Sequence, residues 1–326
     1  MSIRNIESLQ LEIQAGVDAL DFGSDPSNLY EPISYIMSLG GKRLRPLLTL
    51  LSFQLGGGDS SKIVKQALTV EVFHNFTLMH DDIMDKAPLR RGKQTVHEKW
   101  NETVAILSGD TMLVKAYDLL LDINPSILPH VLRRFNQTAV EVCEGQQIDM
   151  DFETMSDVSD TQYLEMIRLK TAVLLGFSME FGGMLAGFSH NQNSALFKIG
   201  EKMGIGFQLM DDILDVYADK AKFGKQVGGD IIANKKTYLL IKALEMANSN
   251  QREALDLWIA KESFDPEEKV TAVTQLYNEI GVPEVAKAKM NEYFDASMAS
   301  MASFSGNEEG KSMIRLFANQ LMQREK

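Results

Sequence analysis

The chain has 326 residues, of which 44% are hydrophobic and 24% are charged. This composition supports a packed core and excludes a disordered chain. The 33 basic and 45 acidic residues give a formal net charge of −12, which argues against a nucleic-acid-binding protein because such proteins normally carry a basic face. The single cysteine, Cys143, excludes an intramolecular disulfide and is consistent with a reducing compartment.

The sequence carries no signal for membrane insertion. Its longest apolar stretch without charge runs from Pro46 to Gly58, which is shorter than the roughly 18 residues that a bilayer span needs. The segment from Met1 to Glu7 contains no apolar signal core. We therefore expect a cytoplasmic protein with no membrane span and no nucleic-acid partner.

Apolar residues at steps of three and four predict helices along most of the chain. The pattern is clearest over residues 63–76, 163–185, 195–216 and 237–246. Glycine and proline predict breaks between helices at residues 56–61, 124–129, 223–230, 263–266 and 281–283. Because no alternating strand pattern and no linker is visible, the sequence predicts an all-α protein with one domain over residues 1–326, built as one large helical bundle.

The motif Asp-Asp-x-x-Asp occurs twice, each time between apolar residues on a predicted helix. Its aspartates are Asp81, Asp82 and Asp85 in the first copy and Asp211, Asp212 and Asp215 in the second. The first and last aspartates of a copy are four residues apart, so their carboxylates share one helix face and repel each other. A hard divalent cation such as Mg²⁺ would relieve this repulsion. A single copy is equally well explained as a solvated acidic face, but the repetition favours metal binding.

Basic residues accompany both motifs. They are Lys42, Arg43 and Arg45 before the first copy, Arg90 and Arg91 after it, Lys170 in an apolar helix, and Lys225, Lys235 and Lys236 after the second copy. Taken singly, each is more simply a solvated surface residue. Taken together with acidic metal ligands, arginines that can bind phosphate with two hydrogen bonds indicate a diphosphate site.

As a set, these residues resemble the trans-isoprenyl diphosphate synthases, or polyprenyl synthetases. The resemblance runs from Gly40 to about Tyr238 and includes, besides the aspartates, Gly41–Pro46, His74, Arg90–Gly92, Gly145–Gln146, Lys170–Thr171, Phe207–Gln208, Gly224–Lys225 and Lys236–Thr237. It implies an all-α bundle around a deep central cavity, in a homodimer. It also implies that an allylic diphosphate (dimethylallyl, geranyl or farnesyl) loses pyrophosphate and is attacked head to tail by isopentenyl diphosphate.

The resemblance assigns the aspartates to Mg²⁺, with three ions per active site. Asp81, Asp85 and Asp211 would be direct ligands, whereas Asp82 and Asp215 would bind directly or through water, and Asp212 completes the set. The six carboxylates only neutralise the charge of the three Mg²⁺ ions, so the leaving diphosphate needs further cations. By the same resemblance, the missing positive charge comes from Arg90, Lys170, Lys225 and Lys236.

The second substrate, isopentenyl diphosphate, would bind without metal. The resemblance places its pocket at Lys42, Arg45, His74 and Arg91. Thr171 and Gln208 match residues whose oxygen dipoles stabilise the allylic cation in the family. No side-chain base is evident, and the released pyrophosphate is expected to take the proton.

The predicted product is short. In the family, the residue five positions before the first aspartate commonly forms the cavity floor; here it is Phe76, followed by Thr77. A bulky ring there, and the absence of the two-residue insertion common in bacterial farnesyl diphosphate synthases, favour a C20 product first and C15 second. On a helical wheel, however, Thr77 lies nearer to Asp81 than Phe76 does, so an ordinary core role for Phe76 is the alternative.

Other functions remain as alternatives. A longer-chain polyprenyl diphosphate synthase would share both motifs, and so would a class I terpene cyclase, although a cyclase needs no second diphosphate pocket. A di-iron bundle would use the Glu71-x-x-His74 pair, but it requires a second such pair, which the sequence lacks. A non-catalytic subunit of a heteromeric synthase would be expected to lack an aspartate motif. The region after Tyr238 carries no recognisable motif.

Overall fold

Helices make up 78% of the residues that the computed structural model describes, which are 4–218 and 228–322. The strands found there are two residues long. The predicted all-α class is therefore confirmed. None of the described helices combines the length and the apolar character that crossing a membrane requires.

The first half of the described chain contains seven α-helices. They are α1 (Ile6–Asp18), α2 (Ser27–Ser38), α3 (Leu44–Gln54), α4 (Val64–Met84), α5 (Val96–Lys99), α6 (Glu102–Leu120) and α7 (Leu128–Thr154). A short 3₁₀ helix, Ser60–Ile63, leads into α4. The predicted pattern over residues 63–76 thus marks the start of a helix that continues to the first aspartate motif.

The second half adds nine described α-helices. They are α8 (Asp160–Ile167), α9 (Val173–Leu185), α10 (His190–Tyr217), α11 (Gly229–Ile232), α12 (Tyr238–Met246), α13 (Ser249–Ala260), α14 (Pro266–Ile280), α15 (Val282–Ser303) and α16 (Glu308–Met322). The segment 163–185 was predicted as one helical stretch. In the structure a π-helical turn, Arg168–Ala172, separates α8 from α9.

Side-chain caps define where several helices begin and end. Ser159 and Gln162 form a reciprocal capping box at the start of α8, as Asn248 and Gln251 do for α13. Asp265 caps α14, whose first residue is Pro266. Gly281 then ends α14 with φ of 85°, a left-handed conformation that favours glycine. The breaks predicted at 263–266 and 281–283 are confirmed.

A two-residue hairpin follows the first aspartate motif. Strand β1 (Leu89–Arg90) pairs antiparallel with β2 (Lys93–Gln94). The loop residues Arg91 and Gly92 have φ of 54° and 73°, as a tight hairpin of the I′ type requires. The phenolic hydroxyl of Tyr35 donates to the Gln94 carbonyl at 2.7 Å. The periodicity did not predict this hairpin, which places Arg90 at the end of β1 and Arg91 in the loop.

The chain divides into two compact units. Unit 1 contains Met1–Asn136, Phe177–Phe197 and Phe304–Phe317; unit 2 contains Gln137–Gly176, Lys198–Ser303 and Ala318–Lys326. Helices α7, α9 and α10 contribute residues to both units. A single domain over residues 1–326 stays a prediction.

In each unit, aromatic side chains pack against the helix that carries the aspartate motif. In unit 1 the ring of Phe73 on α4 lies 5.2 Å from that of Phe135, which in turn lies 5.6 Å from Phe177. In unit 2 the buried ring of Phe294 on α15 packs against Gly206 on α10. Offset and edge-on aromatic contacts of this kind stabilise a core beyond the area they bury. Each motif helix therefore packs against an aromatic side chain from another helix of its own unit.

Candidate active site

The first aspartate motif occupies the last turn of α4. Asp81 is half-buried, Asp82 is buried, and Asp85 is the exposed C-terminal cap. The Asp85 amide donates to the Asp81 carbonyl at 2.8 Å, and Lys86 then leaves the helix with φ of 49°. Three carboxylates thus lie at the negative end of the helix dipole, where cations are stabilised and anions are not. This end of α4 requires positive charge.

Arg90 supplies part of that charge from the hairpin. Its Nε lies 2.9 Å from both carboxylate oxygens of Asp82, and its Nη2 lies 2.7 Å from Oδ1. The same Nη2 is 3.6 Å from Asp81. Burial raises the pKa of Asp82, while its ion pair with Arg90 opposes that rise. Burial alone would lower the pKa of Arg90, but the hydrogen bond to Asp82 and the charges of Asp82, Asp81 and Asp85 together outweigh it and the pKa is raised.

A cluster of guanidinium groups surrounds His74, two helical turns before the motif. Burial lowers the pKa of His74 well below its ordinary value, and the charges of Arg45, Arg90, Arg91 and Arg43 lower it further, in that order. The imidazole is therefore neutral at neutral pH. His74 is predicted to belong to the metal-free diphosphate pocket. The charges of two other residues predicted for that pocket, Arg45 and Arg91, act on it within unit 1.

The loop before α3 shapes this cluster. Arg91 donates through Nη1 to the Gly40 carbonyl, so the hairpin rests on the loop backbone. Lys42, the fourth predicted pocket residue, is exposed in the same loop. Burial lowers the pKa of Arg91, and the charge of Arg43 adds to that effect. The loop that carries Lys42 and the hairpin that carries Arg91 therefore contact each other in unit 1.

Arg43 has a structural role that the sequence did not assign. It is 5% exposed, has φ of 46°, and donates to Glu71 Oε1 at 2.6 Å and to the Met37 carbonyl at 2.5 Å. Glu71 also accepts from Asn75 at 3.1 Å. The carboxylate of the Glu71-x-x-His74 pair is thus bound to a guanidinium, and His74 lies among cations. This arrangement removes the di-iron alternative.

The second aspartate motif lies on α10 in unit 2, and its middle carboxylate has neutral partners. Asp212 is 4% exposed; Tyr163 donates its hydroxyl to Oδ2, and Gln208 Nε2 donates to Oδ1 at 3.1 Å. Thr171 Oγ1 in turn donates to Gln208 Oε1 at 3.1 Å. Burial raises the pKa of Asp212 to about 8, and the charges of Asp230 and Asp211 act in the same direction. The predicted Thr171 and Gln208 pair is thereby joined to the aspartate motif.

The outer aspartates of this motif have different surroundings. Asp211 and Asp215 are both half-buried. The Asp230 amide, at the start of α11, donates to Asp215 Oδ2 at 3.0 Å, and the Gly228 amide donates to the Asp215 carbonyl at 2.6 Å. Asp230 therefore lies beside the second motif. The sequence predicted only a break between helices at residues 223–230 and assigned Asp230 no role.

Lys170 lies on the π-helical turn between α8 and α9. Its Nζ donates to Asp149 Oδ2 on α7 at 2.6 Å. A methyl group at Gly145 of α7 would overlap the Lys170 backbone nitrogen, and one at Gly204 of α10 would lie 2.6 Å from the Ala172 Cα. The two glycines therefore allow α7 and α10 to contact this turn directly. Such π-helical turns occur frequently at functional sites.

The remaining predicted residues are placed as follows. Lys236 donates through Nζ to the Phe152 carbonyl at 2.8 Å. Lys225 lies outside the described residues. Phe76 is half-buried, with its ring 5.6 Å from Phe73 and 4.9 Å from His80. Thr77, also half-buried, donates to the His74 carbonyl at 2.8 Å. Phe76 therefore ends a row of aromatic rings that begins in the core.

Comparison with known proteins decides the family. The sequence model described as polyprenyl synthetase matches residues 26–280. The chain belongs to the polyprenyl synthetase family. The matched range includes both aspartate motifs, the hairpin, the π-helical turn and α14, so every element of the candidate site lies within it.

Curated members of the family resemble this chain over most of its length. A geranylgeranyl pyrophosphate synthase from Geoglobus acetivorans is 36% identical over 303 residues, covering 92% of each chain. A geranylgeranyl diphosphate synthase from Methanosarcina mazei is 39% identical over 74% of this chain and 76% of its own. A geranylfarnesyl diphosphate synthase from Natronomonas pharaonis is 38% identical over 67% of this chain and 69% of its own.

Solved structures of family members share the fold. A crystal structure of a geranylgeranyl pyrophosphate synthase matches with a TM-score of 0.92 and 41% identity, over 98% of this chain and 99% of that one. A geranylgeranyl pyrophosphate synthase from Corynebacterium glutamicum, complexed with isoprenyl diphosphate and magnesium, matches with a TM-score of 0.86 and 27% identity over 98% of each chain.

Within the family, the individual residue roles remain predictions. The first motif belongs to unit 1 and the second to unit 2, so their approach across a shared cavity is a prediction as well. Among the residues that the structure describes, no three His, Cys, Asp or Glu side chains converge closely enough to bind a metal by themselves. Mg²⁺ does not require this, because waters and phosphate oxygens commonly complete its coordination.

Proposed function

We propose that this protein is a trans-prenyltransferase that condenses an allylic diphosphate with isopentenyl diphosphate head to tail, forms geranylgeranyl diphosphate, and releases pyrophosphate. The observation that carries the proposal is the 41% identity over 98% of the chain to a structure titled geranylgeranyl pyrophosphate synthase. The two intact aspartate motifs and the guanidinium cluster around His74 agree with it.

Mg²⁺ is the proposed metal, three ions per active site. The hard carboxylate oxygens of Asp81, Asp85, Asp211 and Asp215, which are less buried than those of the middle aspartates, fit it. The negative end of the α4 dipole adds to the attraction for cations. When bound, Mg²⁺ would neutralise the departing diphosphate as a Lewis acid. The middle aspartates, Asp82 and Asp212, would hold neighbouring side chains in place, and Asp82, paired with Arg90, would add negative charge.

The chain's own cations would bind the two diphosphates separately. Lys170, held by Asp149, would bind the allylic diphosphate together with Arg90, Lys225 and Lys236. Lys42, Arg45 and Arg91 would bind isopentenyl diphosphate, with the neutral His74 imidazole as a hydrogen-bond donor. Arginine suits this task because its planar group binds phosphate oxygens in pairs. Lys42, Arg45 and Arg91 together supply three positive charges, so the proposed pocket needs no metal to balance a diphosphate.

Two neutral side chains would face the allylic carbon. Thr171 already donates its proton to Gln208, so the remaining lone pairs of the Thr171 oxygen are oriented away from that bond and available to a cation. Fixed dipoles placed where charge develops lower the barrier without reorganisation. The pyrophosphate that leaves is the proposed acceptor of the proton lost from the isopentenyl unit.

The product length is proposed as C20, with C15 second. Phe76, at the end of the aromatic row, would limit the growing chain. A longer, C25 product is a further candidate, because a geranylfarnesyl diphosphate synthase is 38% identical to this chain. Replacing Phe76 with alanine should lengthen the product by at least one isoprene unit, as measured by chromatography of the dephosphorylated prenols. Thr77→Ser is the control. An unchanged chain length in Phe76→Ala would exclude the floor role.

The protein is proposed to act as a homodimer. Leu107 and Val114 on α6 and Leu121, its C-terminal cap, recur at steps of seven and are each more than half exposed. Such a stripe is the pattern by which two helices pack against each other. Sedimentation of the wild type beside Val114→Glu tests this, with a monomer expected only for the variant. A monomeric wild type would contradict it.

The proposed activity is tested by incubating the protein with Mg²⁺, isopentenyl diphosphate and each allylic starter in turn. Geranylgeranyl diphosphate is expected as the main product, and chelation of the metal should abolish turnover. Omitting isopentenyl diphosphate distinguishes the alternatives. Consumption of an allylic diphosphate without it would indicate a terpene cyclase, and no consumption under any condition would indicate a non-catalytic subunit.

A further inference from the structure

The region after Tyr238, which carries no recognisable motif, contains a buried lysine. Lys269 on α14 is 1% exposed. Its Nζ donates to Asn234 Oδ1 at 2.7 Å and to the Ile232 carbonyl at 3.3 Å, and it lies 4.2 Å from the centre of the Phe264 ring. Both acceptors are neutral. Burial of an ammonium group is costly, and here burial lowers the pKa of Lys269.

The two acceptors of Lys269 are Ile232, the last residue of α11, and Asn234, in the turn that follows it. Asn234 has φ of 52°, a left-handed conformation that asparagine tolerates better than most residues. Its side chain bridges two helices, since Nδ2 donates to the Ile259 carbonyl on α13 at 3.1 Å while Oδ1 accepts from Lys269. Lys269 therefore fixes the orientation of the Asn234 amide, and that amide fixes the turn.

Helix α14 also contacts the opposite end of that segment, at Gly228. A methyl group at Gly228, which has φ of 82°, would lie 2.6 Å from a Val270 methyl. Neighbouring residues of one helix, Lys269 and Val270, thus hold both ends of the segment from Gly228 to Asn234. A helix fixed along its length in a core can position a short segment more precisely than the segment's own hydrogen bonds can.

The segment fixed in this way carries groups of the candidate site. Asp230, near its centre, donates its amide to Asp215 and raises the pKa of Asp212. The Lys235 amide donates to the Asp230 carbonyl at 2.9 Å. Lys236, next in the chain, reaches the Phe152 carbonyl. A shift of the turn at Asn234 would therefore move both a predicted diphosphate ligand and a partner of the second aspartate motif.

We propose that Lys269 is a positioning residue for diphosphate binding, acting through Asn234 on the segment that carries Asp230 and Lys236. The inference rests on the proposed function in that Lys236 is taken to bind the allylic diphosphate. It gives α14 a task in the active site, although no residue of α14 is predicted to contact a substrate.

The test compares Lys269→Met with the wild type in the full-length protein. Binding of inorganic pyrophosphate with Mg²⁺, followed by calorimetry, should weaken by about tenfold, and KM for the allylic diphosphate should rise by a similar factor. KM for isopentenyl diphosphate should stay within about twofold, because its predicted pocket lies elsewhere in the chain. Lys311→Met is the matched control: Lys311 is 5% exposed, donates to the Phe304 carbonyl, and lies in unit 1.

A second variant separates positioning from general stability. Asn234→Ala removes the acceptor and should reproduce the KM split, and the Lys269→Met and Asn234→Ala double variant should be no worse than either single change. The inference is overturned if pyrophosphate binding is unchanged in both single variants, if both KM values rise equally, or if the two effects multiply. If the wild type performs no prenyl transfer but both variants still weaken pyrophosphate binding, the proposed function fails and Lys269 keeps its positioning role.

Discussion

The two aspartate motifs have the same spacing but differ in the groups that bind the middle carboxylate. Asp82 is 2% exposed and Asp212 is 4% exposed, so both are withdrawn from water. Asp82 is paired with the guanidinium of Arg90, whereas Asp212 receives hydrogen bonds from two neutral side chains, Tyr163 and Gln208. Burial raises the pKa of Asp212 to about 8, and the negative charge of Asp230 adds to the rise. The comparison shows that motif spacing sets the positions of carboxylates, while their partners set the charge.

The largest expected effect concerns the first aspartate of each motif, which is half-buried in both copies. Asp81→Ala and Asp211→Ala should each lower kcat by about three orders of magnitude or more, because each removes a proposed metal ligand. Circular dichroism and thermal unfolding should show an intact fold. Asp157→Ala, at an exposed aspartate outside both motifs, is the control. A near-normal rate in either variant would contradict the metal assignment.

The next effect sharpens the difference between the middle aspartates. Arg90→Leu leaves Asp82 buried without its counter-charge, and it should lower the free energy of unfolding by about 3 kcal/mol in urea titrations. Gln208→Leu removes only a neutral donor from Asp212 and should cost about 1 kcal/mol. Adding Asp82→Asn to Arg90→Leu should recover part of the loss. Equal costs for the two single variants would mean that the charge on Arg90 is not what stabilises Asp82.

The smallest effect is the pH dependence that Asp212 contributes in metal-free protein. Its pKa is about 8 when folded, against 3.8 for the unperturbed group. Between these values the folded state holds one more proton than the unfolded state, so stability is present at low pH and is lost as pH rises. The slope is up to about 1.4 kcal/mol per pH unit.

Asp212→Asn should flatten this slope between pH 5 and 8, a range that lies within the span of the two pKa values. The slope is measured by urea unfolding in the presence of a chelator. Tyr163→Phe keeps the carboxyl group and is the control that should retain a slope. If the wild type gains stability as pH rises through that range, Asp212 is ionised in the folded protein and the contrast with Asp82 disappears.

Much of the fold could be read from the sequence because helical periodicity is local. The patterns at 195–216 and 237–246 correspond to α10 and α12, and the breaks at 263–266 and 281–283 flank α14. The hairpin at Leu89–Gln94 was missed because two-residue strands have no periodicity. The π-helical turn was missed because its cause is the close approach of α7 and α10 at Gly145 and Gly204, far away in sequence.

The sequence by itself determined the helical class, the family, and the spacing of each set of carboxylates, because these depend on residue order along a single helix. Only the tertiary structure decided that Asp82 has an arginine and Asp212 a tyrosine as partner. It also decided that Arg43 is buried and bound to Glu71, and that Lys269 on α14 holds the turn at Asn234. The physical reason is that the charge and orientation of a buried polar group depend on neighbours many residues distant, which meet it only when the helices pack.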